Sequence, residues 1–354
     1  MNIIKKLVAT VLVVLVAFCV IGCHPKDEIA VTIDGHKYTS AYYMCALVNA
    51  YMEGQQEVYN TLSEEEANSE KGIDFFSKKI GDKPFADWVK DRAFEMLKEV
   101  SLYKSRCRDN KLELTEEQIS NSEYYASFYW SSYGYSTIFE PNGVSQETYK
   151  KYMVDTSYAE LYFEHLYGEK GEKAVKAADI KKKLYSDFQL ANILEVTFQE
   201  ETDEEKKEIG KKFEKYAEQL DSGKKTFEQV YADYNKEEDH NHEEEKDGPK
   251  DPHATVIGTE GTGYEHDYYN EIKKMKTGEV KLIEDEEGTG YCLVVKQNIK
   301  ADKYYIKDMD MAIRHLLKDT EYYEEQNKAA KELKPEINDY AVKRFKVKNI
   351  VTPQ

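Results

Sequence analysis

The chain has 354 residues, 40 % of them hydrophobic and 12 % aromatic, and its 68 acidic and 50 basic side chains leave a formal charge of −18. That length and apolar content exclude wholesale disorder and suffice for two or more cores. The negative charge argues against nucleic acid as a partner and against direct adsorption to anionic lipid.

Lys5 and Lys6 open the chain ahead of an apolar run from Leu7 to Ile21, followed by Gly22-Cys23. A positive start, an apolar stretch of roughly 7–15 residues and a small residue before the cut describe a secretory signal, and the run is shorter than the about 20 residues that span a bilayer. Val20-Ile21-Gly22-Cys23 resembles a bacterial lipobox, in which the cysteine receives lipid and becomes the first mature residue. Residues 1–22 are therefore expected to leave as a lipoprotein signal peptide, with Cys23 carrying the anchor. Burial of each acyl CH₂ contributes about 0.8 kcal/mol, so several chains on Cys23 hold the protein at the membrane. With Cys19 removed and Cys23 lipidated, Cys45, Cys107 and Cys292 remain, an odd number that implies no disulfide framework.

From Ile29 to Asp34 the residues alternate as a strand should, and Asp34-Gly35 supplies a turn before His36 to Thr39. Ser40 is expected to cap a helix carrying Tyr43, Met44, Leu47, Val48 and Tyr51 on one face. Val89, Ala93, Met96, Leu97, Val100, Tyr103 and Cys107 mark a second helix, and Thr115-Glu116-Glu117-Gln118 is a capping box opening a third. Tyr124, Tyr125, Phe128, Tyr129, Trp130, Tyr133 and Tyr135 crowd into that helix and its end. Such a cluster has two readings, a packed core or a partly exposed surface for client peptides, and the surface reading singles out Phe128, Tyr129, Trp130 and Tyr133.

Helical patterns resume from Ser145 to Tyr167 and from Ala178 to Ser186, and then the period changes. Gln189 to Phe198 reads as a strand, Glu204 to Leu220 and Thr226 to Tyr234 as helices, Glu271 to Met275 as a helical turn and Tyr291 to Lys296 as a closing strand. Between them, His240, His242 and His253 stand among carboxylates. Such a charge run with Gly and Pro reads first as a solvated acidic loop; since neutral imidazole suits Zn²⁺, it is also a weak candidate metal site. The chain turns helical again from Ile306 to about Leu333. Arg344 to Val351 alternates like a strand, and it is expected to pair with the Ile29 to Thr39 hairpin, which needs a third strand for independent stability.

This order resembles the membrane-anchored foldases of the PrsA and SurA type, in which a parvulin prolyl isomerase domain is inserted into a helical chaperone domain. Val31-Thr32-Ile33-Asp34-Gly35, the Ser40 helix and Leu112 to Ile119 are similar to the family's N-terminal markers. In the insert, Leu190-Ala191-Asn192-Ile193-Leu194 stands where parvulins carry an H-I-L strand. Leu220 with Gly223 and Phe227 is similar to their L-x-x-G-x-x-F step. Met275 to Val280 and Gly290 to Lys296 are similar to the L-K-x-G-E-V and closing G-Y-H-I-I-K segments.

The resemblance implies an α+β protein: a signal over 1–22, a mainly helical chaperone domain over 23–185, a parvulin-like domain over 186–298, and a helix and strand over 299–354 that complete the chaperone domain. It implies an extracytoplasmic, membrane-anchored folding factor for unfolded or newly exported polypeptides, with no cofactor. Isomerisation needs an apolar slot and polar groups that favour the twisted amide over the planar one. Asn192 and Cys292 occupy the family's two central histidine positions, and Tyr268, or its neighbour Tyr269, falls near the floor of the proline pocket. Three outcomes stay open: a weak isomerase whose activity would rise on changing Asn192 and Cys292 to histidine, a holdase without turnover, and a metal-binding surface lipoprotein built on the His240 loop.

Overall fold

Helices and small antiparallel sheets share this computed structural model, which describes residues 27–67, 72–199, 201–236, 248–285 and 288–352. The signal, Cys23, His240 and His242 lie outside the described residues. In chain order the elements used below are β1 (Ile29–Ile33), β2 (His36–Thr39), α1 (Ser40–Tyr59), α2 (Phe85–Asp109), α3 (Glu116–Ser132), α4 (Gln146–Thr156), α5 (Tyr158–Tyr167), α6 (Ala177–Asp187), β3 (Phe188–Thr197), α7 (Asp203–Asp221), α8 (Phe227–Asn235), β4 (Ala254–Gly258), α9 (Tyr269–Lys274), β5 (Val280–Glu284), β6 (Gly290–Gln297), α10 (Asp310–Glu332) and β7 (Glu336–Ile337). The fold is α+β. The chain divides into a first unit of residues 1–165 and 320–354 and a second of residues 166–319. No described helix is long and apolar enough to cross a membrane.

In the first unit, β1 and β2 pair antiparallel through Val31↔Tyr38 and Ile33↔His36. Asp34 and Gly35 both take positive φ, the left-handed region that a tight turn demands and that glycine meets without a Cβ penalty. The cap of α1 is Thr39 rather than Ser40, because the Thr39 hydroxyl oxygen accepts from the Tyr42 N–H at 3.2 Å. The inward face of α1 carries Tyr43, Leu47, Tyr51 and Val58, all buried, against Phe85, Val89, Ala93 and Leu97 of α2. At Gly54 a Cβ would stand 3.0 Å from Phe85 and 3.2 Å from Val89, so glycine is what lets the two helices approach. The third strand on this sheet is β7, antiparallel to β1 through Val31↔Ile337 and Thr32↔Glu336. The expected strand over Arg344 to Val351 does not form. That stretch makes a 3-10 turn at Val347–Asn349, and Val347 is buried in the core with Phe345 packed beside it. Its alternation reports two side chains anchoring an irregular tail, not a ladder.

The second unit is built on a four-stranded antiparallel sheet in the order β4-β3-β6-β5. Its register is set by Asn192↔Val295, Leu194↔Leu293, Glu195↔Cys292 and Leu282↔Leu293. Since side chains alternate along a strand, the sheet has two distinct faces. Ala191, Ile193, Ile257, Cys292 and Val294 meet Tyr269, Ile272 and Met275 on the α9 side. Leu194, Val196, Leu293 and Val295 meet Phe213 and Tyr216 of α7 and Phe227 and Val230 of α8 on the other. Strands β4 and β5 were not legible as strands, being short and half-buried. The single helical pattern from Ser145 to Tyr167 is two helices that part at Ser157.

Candidate functional site

Helix α3 starts at the expected capping box. Thr115 Oγ1 accepts from the Gln118 N–H at 3.2 Å, and Gln118 Oε1 accepts from the Thr115 N–H at 2.9 Å. Ala126 and Trp130, four apart, share the inward face, where Trp130 packs against Phe139 and Tyr149. Four other rings are left outside: Tyr124 is 65 % exposed, Tyr125 53 %, Phe128 41 % and Tyr133 64 %. They touch one another rather than scatter. Phe128 lies parallel to Tyr124 with centroids 6.5 Å apart, and meets Tyr133 edge-on at 5.5 Å. Half-buried Tyr129 joins the row to Tyr135 at 5.8 Å.

The two readings of the cluster therefore divide between its members. Phe128 and Tyr133 are exposed to solvent, Tyr129 spans rim and core, and Trp130, only 6 % exposed, is a core residue. Tyr124 and Tyr125 belong to the exposed row although the sequence pattern did not single them out. Their signal was helical phase: positions 124 and 128 share a face opposite to 126 and 130.

In the second unit Asn192 is wholly buried on β3. Its Nδ2 donates to Asp251 Oδ2 at 3.0 Å, and its Oδ1 accepts from the Gln297 amide. Asp251 Oδ1 in turn accepts the His253 N–H at 3.0 Å. Cys292 lies on the opposite face of the sheet, against α9, because its ladder partner is Glu195 and not Asn192. The structure thus does not bring Asn192 and Cys292 together at one centre. Burial pushes the Cys292 thiol well above its ordinary range, and the neighbouring Glu195 carboxylate adds to the shift, so the sulfur stays protonated and unreactive.

The α9 side of the sheet holds three groups with chemistry at its surface. His266 Nε2 lies 3.5 Å from Glu195 Oε1, and His266 Nδ1 accepts the Tyr268 N–H at 3.2 Å. A neutral ring there carries its proton on Nε2, facing the carboxylate. Tyr268 sits beside the imidazole with ring centroids 5.8 Å apart, and burial, with Asp285 next, holds its phenol above the usual value. Tyr269 is a core residue, which separates it from Tyr268 as sequence could not. Glu195 and His266 were missed by sequence reasoning; the alternation of β3 was the available signal for Glu195. This set can donate and accept hydrogen bonds along an extended chain, but it presents no exposed nucleophile.

His253 packs on the rings of Tyr231, at 4.7 Å, and Phe227, at 5.8 Å. No group of three or more His, Cys, Asp or Glu among the described residues is placed to hold a metal ion. The first unit also contains a pocket of 580 Å³ lined by Met96, Tyr103, Tyr152 and Tyr323 and by charged groups. Its central guanidinium is already engaged: Arg92 donates to Glu53 at 2.8 Å and to Glu99 at 2.6 Å.

No family model and no curated protein matches this chain. Among solved structures, it is similar to foldase protein PrsA from Streptococcus pneumoniae, at 14 % identity and a TM-score of 0.38, over 75 % of this chain and 95 % of that one. PrsA from Lactococcus lactis matches at 13 % identity and a TM-score of 0.37, over 88 % of this chain and 96 % of that one. PrsA from Bacillus subtilis matches at 16 % identity and a TM-score of 0.34, over 70 % and 86 %. At such identities no residue role passes from those proteins to this one.

Proposed function

We propose that the chain is a lipid-anchored, extracytoplasmic folding factor that holds unfolded exported polypeptides, and that its second unit contributes binding rather than prolyl isomerisation. The observation that carries this reading is the contiguous row of Tyr124, Tyr125, Phe128 and Tyr133, four large rings left in solvent along and at the end of a helix that buries Ala126 and Trp130 on its other face. Soluble proteins rarely leave such a patch uncovered without a use for it, and aromatic rings gain from many apolar partners without demanding a sequence. Cys23 supplies the anchor in this account, and the signal ahead of it supplies the compartment.

A non-catalytic role is favoured by the sheet of the second unit. Asn192 is satisfied on both sides of its amide by Asp251 and Gln297, and Cys292 is closed off on the other face. Stabilising a twisted amide requires preorganised donors aimed at one point, and each such donor is worth about 2.7–4 kcal/mol in other enzymes. Two assays on the full chain separate the alternatives. Suppression of aggregation of a chemically unfolded polypeptide, together with no acceleration in a protease-coupled prolyl assay, is the expected pair of results. Turnover that survives changing Asn192 and Cys292 to alanine would place an isomerase site elsewhere; turnover lost in that variant would restore the two residues as a centre.

A further inference from the structure

The exposed rings stand in a stretch of unusual charge. From Leu112 to Tyr149 there is no Lys, Arg or His, while Glu113, Glu116, Glu117, Glu123, Glu140 and Glu147 all fall within it. Every one of those six carboxylates is exposed. Glu117, Tyr124 and Phe128 are spaced seven and four apart on α3, so they share one face, and Glu123 adjoins Tyr124. Helix α4, which packs beside α3, brings two lysines, and both are held by carboxylates: Lys150 by Glu147 at 3.9 Å and Lys151 by Asp155 at 2.8 Å.

We infer that the α3 face selects polypeptide segments in which Lys or Arg alternates with apolar residues. The inference rests on the reading of this row as a client-binding surface and adds the chemistry of the client. Tyr and Phe rings present a negative face that attracts an ammonium or guanidinium group within about 6 Å of the ring centre. The glutamates around them raise the local concentration of cations and repel acidic chains. No basic side chain between Leu112 and Tyr149 competes for either. A segment with apolar and cationic side chains therefore meets both halves of the surface, whereas a purely apolar one meets only the rings.

The test uses the full chain and short labelled peptides that share their Leu, Tyr and Ser positions and differ only where Lys, Gln or Glu is placed, with affinity read by fluorescence anisotropy. At about 0.1 M ionic strength the Lys peptide is expected to bind about tenfold more tightly than the Glu peptide, and the gap should shrink at about 1 M, where screening acts over about 3 Å. The Glu117→Gln/Glu123→Gln variant should lose the Lys preference and keep its affinity for the Gln peptide. Equal affinity for all three peptides would overturn the inference while leaving the binding surface in place. Binding of all three that is undiminished in Tyr124→Ser/Phe128→Ser would overturn the binding surface as well. Self-association of the chain, or attachment to phosphatidylcholine vesicles, that blocks the Lys peptide and is lost in Tyr124→Ser/Phe128→Ser would assign the face to a second copy or to lipid, and would equally overturn the inference.

Discussion

Asn192 shows how a residue at a position of interest can be structural in its chemistry. A buried amide that donates to Asp251 and accepts from Gln297 is held at both its nitrogen and its oxygen, and its removal leaves a carboxylate oxygen and an amide without their partner. Orphaned groups cost about 1–3 kcal/mol when buried, and Asp251 and Gln297 are half-buried, so the lower end of that range applies. Asn192→Leu is therefore expected to lower the denaturation midpoint of the second unit by a corresponding amount, followed by Tyr fluorescence in urea; an unchanged midpoint would contradict the buried network. Lys296 gives a second handle on the same unit. Its Nζ donates to Gln189 Oε1 at 2.5 Å, and burial pulls its pKa down from 10.5 to about 8. Between those values the unfolded chain binds the proton that the folded chain has lost, so this group makes stability rise with pH through that window. Lys296→Met should flatten that rise in melts taken between about pH 8 and 10. An identical pH slope in both proteins would show that Lys296 is not desolvated. At this scale sequence placed Asn192 and Cys292 on strands but could not say that they face opposite ways. Parity within one strand is local, whereas the register of β3 against β6 is a tertiary fact.

Elements were most legible where a short-range signal decides them. The Thr115-Glu116-Glu117-Gln118 box, the Asp34-Gly35 turn and the apolar faces of α1 and α2 are written within a few residues, and each is found where its pattern lies. The C-terminal strand is the contrary case. β7 has only two residues, Glu336 and Ile337, too few for any period, and its ladder partner lies about three hundred positions earlier in the chain. Asn338 secures this junction: its N–H donates to Ala30 O at 2.9 Å, its Nδ2 donates to Ile29 O at 3.1 Å, and its Oδ1 accepts from Ala341 at 3.3 Å to cap the next helical turn. Asn338→Ala removes these side-chain contacts, together with the bond from Nδ2 to Glu28 Oε1 at 3.3 Å, and should destabilise the first unit by about 1–2 kcal/mol through the lost cap and bonds. Calorimetry that resolves the two units should show the first transition lowered and the second unmoved. A shift in the second transition alone would contradict the assignment of β7 to the first unit.

For the whole molecule, the division of labour is the central matter. The first unit carries the exposed aromatic row on α3, and the second carries a sheet whose two candidate residues serve separate faces. The presence of an aromatic cluster was legible in the sequence, and helical phase separates its two faces; which face is the buried one is decided beyond the helix, where Phe139 and Tyr149 seat Trp130. On the proposed reading, unfolded chains bind through rings on one helix of the first unit. The most direct measurement is the capacity of the full chain to suppress aggregation of an unfolded polypeptide, compared with a Tyr124→Ser/Phe128→Ser/Tyr133→Ser variant whose unchanged circular dichroism and melting point show that it folds. The account predicts that the variant loses most of that capacity while an Asn192→Ala/Cys292→Ala variant, scored at a temperature where it remains folded, retains it. Full capacity in the ring variant, or loss only in the Asn192/Cys292 variant, would contradict it.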